Sequence, residues 1–190
     1  MRRAIPFLLL SSLLASCGPR EDYEPTKRAL VSAHTARTGV IHITMRYAEV
    51  LEAAASGPDT TVWDWANLAG FRESEEGRAA RRLLSEYAKP VSVDPASGRR
   101  REIEEVSLAT VALVNLALEP RGTWESFSQE IAGARSRLDR AVSALETGTK
   151  DFVLIETRTE TNKTSFAYAQ EIARAKAADS EKPGKASTTP

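Results

Sequence analysis

WESFSQEIAGARSRLDRAVSAL, residues 124–145, decides the fold. Trp124, Phe127, Ile131, Ala134, Leu138, Ala141 and Leu145 recur three and four apart without a miss. That spacing puts seven apolar side chains on one face of an α-helix. Thr123 can cap its start and Gly148 stops it. Upstream, residues 102–118 read as the most hydrophobic helix of the chain. Ile103, Val106, Leu108, Val111, Leu113, Val114, Leu116 and Leu118 cover nearly every side, the pattern of a central helix. Glu102, Glu104 and Glu105 occupy its first turn, where the helix dipole favours acid. The loop between the two, through Pro120 and Gly122, is short, so the helices are expected to pack antiparallel.

The same logic extends outward. Pro25 suits the first turn of a helix running to about Ala55. Its seam is Ala29, Ala33, Ala36, Val40, Ile43, Tyr47, Val50 and Ala54, and Gly39 is a point at which the rod can bend. Ser56-Gly57-Pro58 ends it. Thr61 and Asp64 have capping-box spacing ahead of a short helix over 62–69, with Gly70 as its stop. Residues 74–88 form the next helix, closed by Pro90, and residues 94–98 a turn cluster. Residues 152–161 are ambiguous. Their threonines favour a strand by composition, and Val91–Val93 is the one extended piece available as its partner. Residues 164–178 read as a final helix and 179–190 as a polar, disordered tail. The expected architecture is all-α: an antiparallel bundle of four to five helices over residues 25–178, with at most one small extended element.

The N-terminus carries a different message. Arg2 and Arg3 precede an apolar run over 5–14, followed by Leu14-Ala15-Ser16-Cys17. A charged start, a short apolar core and small residues before a cleavage point make a secretory signal peptide. The run is ten residues long, interrupted by Pro6, Ser11 and Ser12, and falls short of the roughly 20 that span a bilayer. The stretch resembles the lipobox of bacterial lipoprotein precursors. That resemblance implies cleavage before Cys17, lipid on Cys17, and exposure in the cell envelope. Gly18 in place of Asp is similar to lipoproteins sent to the outer membrane. The seven residues 18–24, read as part of a lipidated linker over 17–24, reach at most ~25 Å, so the folded part sits near the bilayer.

Composition narrows the chemistry. The chain has 26 basic and 26 acidic side chains, and loss of Arg2 and Arg3 with the signal leaves 24 against 26. This is not the basic balance of a nucleic-acid binder. Cys17 is the only cysteine, so no intrachain disulfide, zinc ribbon or iron–sulfur site can form. No Gly-x-Ser-x-Gly elbow or glycine-rich phosphate loop occurs. His34 and His42, the only histidines, stand two turns and about 80° apart on one helix and cannot grip one metal jointly. Val31 and Gly39 hold the positions that a Glu-x-x-His metal motif would need. Both histidines read as ordinary surface residues, and no metal or cofactor is expected.

Three clusters remain. Glu73, Glu75 and Glu76, with Glu102, Glu104 and Glu105, could supply the two acids of a muramidase-like enzyme, although capping of helix starts explains them. Trp63-Asp64-Trp65 faces two directions at once, so one Trp can pack as a lid over the bundle end while the other meets a partner. Arg99-Arg100-Arg101 could grip phosphates of lipopolysaccharide or phospholipid, or form a solvated loop. The expected function is that of a non-catalytic envelope accessory or scaffold. It is held to the membrane by lipid and binds a protein or cell-wall partner. The alternative is an envelope enzyme using paired carboxylates.

Overall fold

The computed structural model describes residues 22–55 and 65–181. Helix α1 spans Tyr23–Ala55, α2 Ala69–Glu73, α3 Glu75–Tyr87, α4 Arg100–Leu118, α5 Trp124–Thr147 and α6 Asp151–Glu181. A 3-10 turn, Trp65–Leu68, leads into α2. The fold is all-α, and no strand occurs among the described residues. No described helix is long and apolar enough to cross a membrane.

Helix α1 is the hub. It packs against α3, α4, α5 and α6. Side-chain contacts set the directions. Arg46 meets Glu76 of α3, and Arg37 meets Asp139 of α5, so both run antiparallel to α1. Lys27 lies near Glu156 and His42 near Tyr168, so α6 runs parallel to it. Tyr47 donates its hydroxyl proton to the Ala117 carbonyl at 3.1 Å, which places the end of α4 beside the later half of α1. The long helices thus alternate up and down, with α2 and its leading turn folded over the upper end. The lower end holds the starts of α1, α4 and α6.

Why α1 is central follows from its small residues. Ala29, Ala33, Ala36 and Gly39 are buried, and they let neighbouring backbones approach closely. Leu30, Val40, Ile43, Tyr47 and Leu51 fill the spaces between. Full burial of each large apolar side chain contributes about 1.5–3 kcal/mol. Gly39 does not interrupt α1. The helix continues through it, and a Cβ there would stand 2.7 Å from Leu84 Cδ2 and 3.3 Å from Tyr168 Cε2. The upper part of the seam also differs from expectation. Leu51 is buried, Val50 is half-buried and Ala54 is exposed.

Other expectations need correction. Residues 152–161 are the start of a single helix through Glu181, not a strand. Val153, Thr157, Tyr168 and Ile172 fall on one helical face and are buried. Thr159 and Thr164 return their hydroxyls to the carbonyls of Ile155 and Glu160, so threonine here is compatible with helix. The extended partner is missing too, since the Val91 N–H donates to Ser107 Oγ at 2.8 Å. Helix α4 is not buried all round. Leu108 is 64% exposed, and only the face through Ile103, Val106, Thr110, Leu113 and Ala117 is covered. Gly70 lies inside α2 and does not end it. Asp179 to Glu181 belong to α6, and only residues 182–190 of the expected tail lie outside the described residues. Tyr23 and Glu24, assigned to the linker, open α1.

The cap on α5 is present: Thr123 Oγ1 accepts from the Ser126 N–H at 3.1 Å, and Ser126 Oγ accepts from the Thr123 N–H at 3.0 Å. A tighter constraint joins α2 to α3. A Cβ on Gly77 would lie 1.9 Å from the Phe71 carbonyl oxygen, so only glycine fits. Gly77→Ala is expected to lower stability by about 1–3 kcal/mol, the cost of forcing an atom into packed space. Gly133→Ala, on an open face of α5, should instead stabilise by roughly 0.5–1 kcal/mol. Denaturant unfolding of both variants checks the pair; equal effects would contradict the packing.

Candidate functional site

The arginine run does not converge. Arg99 donates through Nη2 to the Leu145 carbonyl at 2.6 Å and through Nη1 to Thr149 Oγ1 at 2.7 Å. Its cation therefore caps the C-terminal end of α5, where the helix dipole is negative. Arg100 pairs with Glu104 at 2.7 Å, one turn along α4. Arg101 is exposed. A cavity of about 560 Å³ opens beside Arg99 at the lower end, between Asp22, Tyr23, Lys150 and Phe152. The Tyr23 and Phe152 rings stack there at 5.9 Å. Cys17 and Trp63 lie outside the described residues.

Trp65 belongs to an aromatic cap at the upper end. Its ring centroid is 5.1 Å from Phe127, 6.1 Å from Trp124 and 6.5 Å from Tyr47. The indole N–H donates to the Gly122 carbonyl at 2.6 Å. Phe71 meets the same Tyr47 edge-on at 5.9 Å. This is the lid arrangement: the turn bearing Trp65 closes the bundle over Tyr47 and Phe127, both fully buried.

The acidic clusters stand at opposite ends of the bundle. Glu75 and Glu76 start α3 near the top, where their backbone N–H groups both donate to the Asp179 carboxylate at 2.9 Å. Asp179 of α6 thus caps α3. Glu104 lies in the first turns of α4, near the base. Glu76 is 4% exposed, yet it is not free. Arg46 Nη2 donates to Glu76 Oε2 at 3.0 Å, and Arg46 Nε makes a 2.9 Å charge contact to Oε1 without hydrogen-bond alignment. His42 Nε2 lies 3.5 Å from the same oxygen, and His42 Nδ1 is 3.3 Å from the Tyr168 hydroxyl. So His42 is not the ordinary surface residue expected. Burial pushes its pKa below the usual 6.5, outweighing the attraction of Glu76. Burial likewise raises the Tyr168 hydroxyl. Arg46 stays firmly charged because Glu76 and Glu49 hold its proton against burial.

A further opening lies between α5 and α6. The two are joined by the short loop 148–150 but leave a cleft of about 610 Å³ with α1 as its floor. His34, Arg37, Thr38 and Ile41 of α1 line the floor; Glu146 stands on the α5 side. Leu154, Thr157, Arg158, Thr161, Asn162 and Ser165 form the α6 wall. His34 Nε2 is 3.3 Å from Glu146 Oε1, and Arg37 Nη1 is 3.2 Å from Asp139 Oδ1. Among the described residues, no group of three or more side chains is arranged to hold a metal ion. Comparison with protein families, curated sequences and solved structures finds no match to this chain.

Sequence reasoning missed both the Glu76 cluster and the cleft. One signal was present: His42 and Arg46, four apart, face the same way, as do His34, Thr38, Ile41 and Met45. The partners from α3 and α6 were invisible without the fold.

Two outcomes check these placements. Truncating Trp65→Ala should cost about 3 kcal/mol, the low end for a packed Trp, measured by denaturant unfolding. For His42 the sign is fixed by its lowered pKa. Below pH 6.5 the unfolded chain takes up a proton that the folded chain resists, so stability falls as pH drops from that value. The loss levels off below the folded pKa. His42→Gln should flatten this part of the stability–pH curve and leave its course above neutrality unchanged, as thermal melts across pH would show.

Proposed function

We propose that this protein is a lipid-anchored bacterial envelope protein that acts without catalysis, as an accessory or scaffold holding an envelope partner near the membrane. Leu14-Ala15-Ser16-Cys17 carries the reading, with Arg2, Arg3 and the apolar run ahead of it. The lipid on Cys17 places the chain on the periplasmic side of the outer membrane. Six residues separate Cys17 from Tyr23, a reach of at most ~20 Å, so the lower end of the bundle faces the bilayer. Several acyl chains, at ~0.8 kcal/mol per buried methylene, hold it there. The arrangement of the acids supports a binding role. Glu76, the buried carboxylate, is held by Arg46, and the Glu102–Glu105 set is at the other end of the bundle.

Metabolic labelling with an alkyne fatty acid tests the anchor. The wild-type chain should carry label, run at mature size and fractionate with membranes. Cys17→Ser should lose the label and the mature-size band. A Cys17→Ser chain that is still labelled, or is processed and membrane-bound as before, would overturn the proposal.

A further inference from the structure

Resting on the envelope reading above, we infer that the cleft between α1, α5 and α6 binds an acidic glycan, a hydroxyl-rich chain bearing carboxylates, of the kind found in cell walls. Four observations combine. The first is size and shape. About 610 Å³ is within the range of ligand sites, and the α6 wall from Leu154 to Ser165 runs roughly 16 Å along the helix axis. That suits a segment of a linear chain better than a compact ion.

The second is unmet hydrogen-bonding capacity. Thr157 is 3% exposed, and its Oγ1 has no hydrogen-bond partner. Thr161 Oγ1, one turn further on the same wall, is also buried without a partner. Each oxygen is sealed from solvent as it stands; a χ1 turn that exposes it would offer a donor and an acceptor, and sugar hydroxyls match both. A phosphate, which only accepts, matches one. Asn162 and Ser165 extend the same row.

The third is charge. Asp139 pairs with the Arg37 guanidinium, and Glu146 has His34 Nε2 at 3.3 Å. Arg158 adds an exposed guanidinium to the wall, and its planar fork fits a carboxylate. The fourth is the kind of residue that lines the cleft. Ile41 and Leu154 are the only apolar residues of the lining. They suffice for the C–H face of a sugar ring or an acetyl methyl. A docked amphipathic helix would need an apolar groove.

The test is co-sedimentation of the full-length chain, in detergent, with purified insoluble peptidoglycan sacculi. The wild-type protein should pellet with sacculi, and Arg158→Glu should weaken capture about tenfold, the size of a lost charge-assisted hydrogen bond. Thr157→Val, nearly isosteric, should weaken it less while leaving the melting temperature in place. Sacculi amidated at their carboxylates should lose the protein. Competition by soluble polygalacturonate, but not by neutral dextran, would show that any carboxylated glycan suffices; no competition by either would confine the site to the cell wall. Failure to pellet, or capture indifferent to Arg158→Glu and to amidation, would overturn the inference. So would a photocrosslinker at Asn162 that captures a protein while sacculi are ignored. Because Cys17→Ser leaves the cleft untouched, it should still pellet with sacculi, so a failed anchor and a failed cleft give different results.

Discussion

Everything in this bundle depends on how closely other helices can approach α1. Its buried face is built from Ala29, Ala33, Ala36 and Gly39, with larger side chains between them. At Gly39 the approach is limiting: Leu84 of α3 and Tyr168 of α6 both rest where a side chain would be. One position therefore sets the spacing of three helices. Protein interiors are close-packed, so a spacing fixed at one level propagates to the layers above and below it. Tyr47 and Phe127 can then fill the upper layer fully, and Ile103 and Leu145 are likewise sealed from solvent.

Packing sets distance, and the polar contacts set register. Arg46 and Glu76 lie where α1 meets α3, and Asp179 reaches across from α6 to both N–H groups at the start of α3. A buried ion pair adds little net stability, because desolvation offsets most of the attraction. Its effect here is geometric. Sliding α3 along α1 by one turn would strand the Glu76 carboxylate in the interior and uncap α3 at once. His42 completes this arrangement, and its proton is resisted because burial, helped by the Arg46 cation, outweighs the attraction of Glu76.

The fold class was legible because α5 is periodic without a miss, and the boundaries of α3 and α4 follow from Ser74, Pro90 and Pro120. Residues 152–161 were not legible for a physical reason. Phe152, Val153, Leu154 and Ile155 are contiguous, and four threonines follow within the next ten residues, so composition pointed to a strand. The helix is won by tertiary contacts, through Val153 and Thr157 buried against the bundle. The same limit applies to α4, whose leucines and valines surround the helix although only one side is covered. Apolar content gave its amount of hydrophobic surface but not its place in the bundle. Candidate residues fared unevenly. Of the two tryptophans offered as lid or partner contact, Trp65 packs over the bundle end. Arg99 looked like a ligand-binding cation, but its target is the C-terminus of α5, a contact that joins residues 46 apart in sequence.

The cleft has the same origin as the rest of the architecture. Four helices around a fifth can close into a ring only if each neighbouring pair presents apolar faces to each other. Between α4 and α5 this holds, with Leu113 and Val114 on one side and Leu138 and Val142 on the other all buried. Between α5 and α6 it does not. The facing positions are Asp139 and Glu146 on one side and Arg158, Asn162 and Ser165 on the other. Closing that gap would desolvate charges and amides without a full set of partners, at a cost of several kcal/mol. The short loop 148–150 keeps the two helices adjacent, and their chemistry keeps them apart. Thr38 of the hub helix is thereby left exposed, and His34 and Ile41 half-exposed, at its middle. The opening is consequently a product of side-chain polarity at named positions, imposed on a helix that is otherwise built to be covered.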